Sequence, residues 1–143
     1  MRTFQFSLQA ALGMRERSVE AAENALRGVQ EEWNANQRQQ RELADEVRAA
    51  ELGVRSGPVD PADYTALDRY RGAAQRRRLR MAQEAAGIAM RLAERRAAWQ
   101  TAERDKTLLI RLKEKALSRW RMEYDKEQQQ LAEEAYLSRW NAR

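Results

Sequence analysis

Histidine and cysteine are both absent from this sequence, so the side chains left with chemical reach are carboxylates, arginines, lysines and tyrosines. Without imidazole there is no general base or ligand poised near neutral pH, and without thiols there is neither a disulfide nor a thiolate metal site. Carboxylates alone could hold a hard cation, but the Asp and Glu residues are scattered without the spacing of a calcium loop. No glycine-rich phosphate loop is present either. These absences point away from catalysis, with no cofactor and no metal expected, and toward a chain that works by contact.

The densest charge is basic: Arg69, Arg71, Arg76, Arg77, Arg78 and Arg80 fall within twelve positions of a chain whose net charge is +5. On a helix these side chains spread around most of the circumference. Tyr70 lies among them, but no row of aromatics is available to stack bases, which argues against specific nucleic-acid binding. A solvated face or an electrostatic contact with an acidic protein accounts for the tract more simply. No run of some 18 apolar residues is present and the first residues lack the apolar stretch of a secretion signal, so the expected location is cytoplasmic.

The elements that carry these residues follow from where helix breakers fall. Only six glycines and two prolines occur, and the one dense cluster is Gly53-Val-Arg-Ser-Gly-Pro-Val-Asp-Pro61. Glycine admits positive φ there, and each proline disfavours helix in its predecessor. Asp60 is suited to cap a following helix, Pro61 to open it and Asp63 to favour its positive end. Ser7 is a plausible cap for the helix before. The expected fold is all-α, a single antiparallel coiled-coil hairpin over residues 1–143. Helix 1 should run over about 7–53, the turn over 54–60 and a longer helix 2 over about 61–140.

Apolar spacing supports that pairing. A strict 3-4 alternation runs through Leu8, Leu12, Arg15, Val19, Ala22, Leu26, Val29, Trp33, Asn36, Gln40, Leu43, Val47, Ala50 and Val54, eleven of the fourteen apolar. Tyr64, Leu67, Arg71, Ala74, Arg78, Met81, Ala85, Ile88, Leu92, Arg95, Trp99 and Ala102 repeat it, nine of twelve apolar. A sustained 3.5-residue period keeps one narrow stripe facing a partner helix, which is the seam of a coiled coil. Folding about Gly57 would set Val47 on Leu67, Trp33 on Met81, Val29 on Ala85, Leu26 on Ile88 and Ala22 on Leu92. It would also put Arg15 on the Trp99 indole and Asn36 opposite Arg78 as a polar, register-fixing layer.

The same folding leaves residues beyond about 107 without a partner, because Leu8 then meets Lys106. That overhang carries Leu108, Leu109, Ile110, Leu112, Leu117, Trp120, Met122, Tyr124 and Leu131. A lone helix cannot bury such a surface, so it reads as a contact site.

The opening Phe4-Gln-Phe6-Ser-Leu8-Gln9-Ala-Ala-Leu12-Gly-Met-Arg15-Glu16-Arg resembles the start of many FliJ proteins, the small coiled-coil component of the bacterial flagellar type III export apparatus. The stretch Leu112-Lys-Glu-Lys115 through Tyr124, Glu127, Leu131, Glu133 and Glu134 is similar to the pattern near that family's C-terminus. Gln130 stands near where the family often has lysine, and Ala132 and Glu133 near its usual Asp-Glu pair. The residues between the two motifs match only in pattern.

The intramolecular seam predicts a monomer when free, and the resemblance implies a non-catalytic stalk whose terminal end enters the pore of a hexameric export ATPase and whose remainder projects toward a membrane export-gate protein. Substrate chaperones would be further partners. The implied ATPase-facing residues are Phe4, Phe6, Leu8, Leu12, Arg15, Leu108, Leu109, Leu112, Lys113, Trp120 and Tyr124. The implied gate-facing residues are Leu43, Val47, Tyr64, Leu67, Tyr70, Arg76 and Arg77. The alternatives are the equivalent stalk of a virulence-type secretion system and a generic coiled-coil scaffold.

Overall fold

The structure is a computed structural model that describes residues 3–58 and 60–143. It is all-helical among those residues, with two helices packed on one another and the second much the longer. α1 spans Gln9–Arg55 and α2 spans Pro61–Asn141. Two compact units divide the chain, residues 22–99 and residues 1–21 with 100–143.

In the unit of residues 22–99 the two helices run antiparallel on either side of the turn. The start of α2 is built as its residues dictate: the Asp60 carboxylate accepts from Ala62 N at 3.0 Å, Pro61 takes the first position, and Asp63 N donates to Asp60 O. α1 is closed by a hydrogen bond from Ser56 N to Leu52 O. No residue takes a positive φ among those described.

The seam falls on the expected stripes. Val29, Leu43, Leu67, Ala74, Ala85, Ile88 and Leu92 are buried, with Leu26 and Trp33 packed against a cluster of Val29, Ile88 and Leu92. Each buried aliphatic contributes about 1.5–3 kcal/mol at most. None of the described side chains is completely sealed, as expected where two helices enclose a residue from two sides only.

The register differs from folding about Gly57, since Val29 groups with Ile88 and Leu92 where Ala85 was expected. Two effects add. The midpoint between Arg55 and Pro61 lies one residue beyond Gly57. In addition, every Cβ leans toward the N-terminus of its own helix, which carries α1 side chains away from the turn and α2 side chains toward it. Each lean is worth about one position, so together the effects move the facing partner on α2 by about four residues.

Asn36 shows the same displacement. It does not meet the Arg78 side chain, which is exposed; its Nδ2 donates to the Met81 carbonyl at 3.1 Å across the seam. Its Oδ1 accepts from Gln40 Nε2 at 2.6 Å, so an amide only 4% exposed is satisfied at both ends.

In the other unit, the start of α1 packs beside α2 with Leu12 and Val19 buried. α1 begins later than a Ser7 cap would give, because Leu8 O accepts the first helical bond, from Leu12 N. The residues before it are not helical, and they decide how far α2 is covered.

Candidate protein-binding surfaces

Among the described residues no three of His, Cys, Asp and Glu converge on a point where they could hold a metal ion. Also among them, no helix is long and apolar enough to cross a membrane. The surfaces left to examine are those carrying apolar or charged side chains without an internal partner.

In the unit containing both termini, α2 is covered further than the antiparallel spacing allowed. Gln9 Oε1 accepts from Lys113 Nζ at 2.8 Å, where Leu8 had been matched to Lys106. The Phe4 ring lies 6.1 Å from that of Trp120, tilted by 60°, and Trp120 stacks on Tyr124 at 5.3 Å and 12°. Phe4, Phe6, Leu109, Ile110, Lys113, Ala116, Leu117, Trp120 and Tyr124 are accordingly half-buried. The expectation that everything beyond residue 107 lacks a partner is therefore wrong.

The cause is geometric. A residue in extended chain advances about 3.3 Å against 1.5 Å in a helix, so a non-helical strap spans more of α2 than helix pairing would. Five positions from Gln9 back to Phe4 are matched by seven from Lys113 to Trp120. Residue patterning does not reveal a strap, because the helical stripe stops at Leu8; the aromatic spacing of Phe4 and Phe6 was its only sign.

The truly uncovered part of α2 begins at Asp125, from which every residue is exposed. It carries Leu131, Tyr136, Leu137 and Trp140, the last 65% exposed. Leu8, Leu108, Leu112 and Met122 add exposed apolar surface closer to the covered region. Leu12, by contrast, is 3% exposed and belongs to the seam, so it presents nothing to a partner. Arg15 is also placed otherwise than expected. It donates to Asp105 Oδ2 at 3.2 Å within its own unit, and Trp99, its match by spacing, falls in the other unit. A carboxylate six residues further along α2 is a better partner for a guanidinium than an indole face.

In the unit of residues 22–99, the gate-facing set separates into two kinds. Leu43 and Leu67 are buried and Val47 is half-buried, so these three hold the seam. Tyr64, Tyr70, Arg76 and Arg77 are exposed. Arg71 is held by Glu51 at 3.0 Å and by Asp68 at 3.9 Å. Arg69, Arg76, Arg77, Arg78 and Arg80 form no ion pair among the described residues.

No protein-family model, curated protein or solved structure matches this chain.

Proposed function

We propose that this chain is a non-catalytic stalk of a flagellar type III protein export apparatus, one end bound by the pore of a hexameric export ATPase and the arginine-bearing region turned toward a membrane export-gate protein. One observation carries the reading most directly. The two stretches that resemble FliJ proteins, residues 4–17 and 112–135, are far apart in sequence yet meet in one unit, through Phe4 on Trp120 and Gln9 on Lys113. A motif pair that converges on one end of the chain is what a shared binding end requires.

The contact surface at that end is the exposed apolar set Leu8, Leu108 and Leu112 with the uncovered helix after Tyr124. Phe4, Phe6, Leu109, Lys113, Trp120 and Tyr124 shape it from beneath. A shaft inside a ring of six subunits biases their conformations only through unequal contact energies, and unevenly placed exposed apolar residues supply such inequality.

The experiment is truncation after Tyr124, assayed with the export ATPase from the same genome. The strap and the helical seam remain in that variant, while ATPase stimulation is lost. Stimulation equal to that of the full chain would refute the assignment of the C-terminal helix.

A further inference from the structure

We infer that the seam groove beside the arginine tract is the docking site for an acidic amphipathic helix of a partner protein, with an apolar side chain of that helix seated between α1 and α2 and its carboxylates on the arginine rim. This rests on the reading above only in treating the region as a contact surface, and it adds the chemistry of the occupant.

The groove has a volume of ≈ 400 Å³. Its floor is Leu43, Val47 and Ala74, and its rim includes Arg48, Arg71 and Arg78. It opens where Ala74 brings only a methyl to the seam, between Arg71 and Arg78 at the neighbouring positions of the α2 stripe. The floor is aliphatic and the lining contains no aromatic ring, which suits a leucine-sized side chain and offers nothing for a base to stack on.

The lining of the groove is net basic: Arg48, Arg71 and Arg78 stand against a single carboxylate, Glu51. Between Asp68 and Glu84, α2 carries six arginines and no carboxylate. Glu51, the one acid in the lining, is already bound by Arg71 at 3.0 Å. Arg48 has only a long contact of 3.9 Å with Asp45, and Arg78 has no ion pair among the described residues. Arginine forks bind carboxylates in two-point geometry and keep their charge at any accessible pH. An occupant with leucines on one face and glutamates flanking them satisfies floor and rim together.

The test uses the full chain and fluorescence anisotropy with labelled synthetic helices. A leucine–glutamate amphipathic helix should bind saturably, and more weakly as salt rises. Its leucine–glutamine counterpart should bind at least about tenfold more weakly. Arg78→Glu and Arg48→Glu, both at exposed positions, should each weaken the glutamate helix by about tenfold and leave circular dichroism unchanged. Arg78→Glu should in turn gain affinity for a leucine–lysine helix.

Equal binding of the glutamine helix, or indifference to both substitutions, would overturn the proposal. So would tighter arginine-dependent binding of single-stranded RNA or of phosphatidylserine vesicles. ATPase stimulation by Arg78→Glu is a separate readout. Its retention alongside lost helix binding assigns the groove to a second partner, and a chain that never stimulates the ATPase yet binds the glutamate helix sinks the stalk reading alone.

Discussion

At the scale of single residues, two side chains do more than their class would suggest. Asn36 sits where the stripe calls for an aliphatic and bridges to the Met81 carbonyl while accepting from Gln40. A polar group at such a position fixes register and partner number at some expense of stability. Asn36→Leu is therefore expected to raise the melting temperature, by roughly 1 kcal/mol of added stability or more, while allowing alternative pairings. Sedimentation should then detect dimers, and a strictly monomeric Asn36→Leu chain with a lowered melting temperature would count against the role. Trp120 is the second case, since it lies between Phe4 and Tyr124. Trp120→Ala should remove about 1–3 kcal/mol of local stability. The loss should be read as faster hydrogen exchange at residues 3–12, with residues 22–99 unaffected.

At the scale of elements, the turn and the strap set what the helices can present. Asp60 caps α2 through Ala62 N, and Asp60→Ala should cost about 1 kcal/mol, visible as a lowered melting temperature and not as altered binding. Surface ion pairs between the helices are expected to matter less. Arg91 meets Glu32 at 2.7 Å with both side chains half exposed, so Glu32→Gln should change stability by less than about 1 kcal/mol, and the difference should shrink in high salt. The strap acts through coverage. Deleting residues 1–7 should expose Trp120 and Leu117, with a red-shifted tryptophan emission, while the seam of residues 22–99 keeps its helicity.

At the scale of the whole molecule, the chain has one long seam's worth of apolar residues and more apolar surface than that seam consumes. The surplus, Leu131, Tyr136, Leu137 and Trp140, lies after the strap's reach, on a stretch exposed throughout. Isolated helix has little stability of its own in water. Residues 125–143 are therefore expected to exchange amide hydrogens quickly in the free chain and slowly once a partner covers them. Equal exchange in the presence of the export ATPase would exclude this stretch from the contact.

The amino-acid sequence by itself determined the two helices, a turn expected over 54–60 that α1 narrows by running to Arg55, and the stripes that face one another, because breakers, caps and the 3-4 period are local signals that need no knowledge of the partner. Leu43 and Leu67, which the resemblance implied as contact residues, were legible as seam from that same period, and they are buried. Three things were decided only by the tertiary structure. The register moved by about a turn, because side-chain lean and turn length act on pairs and not on single positions. Arg15 went to Asp105, since charge partners are chosen by reach across the seam once the register is set. Finally, the non-helical strap laid Phe4 on Trp120, and extended chain leaves no periodic mark in a sequence to announce where it will lie.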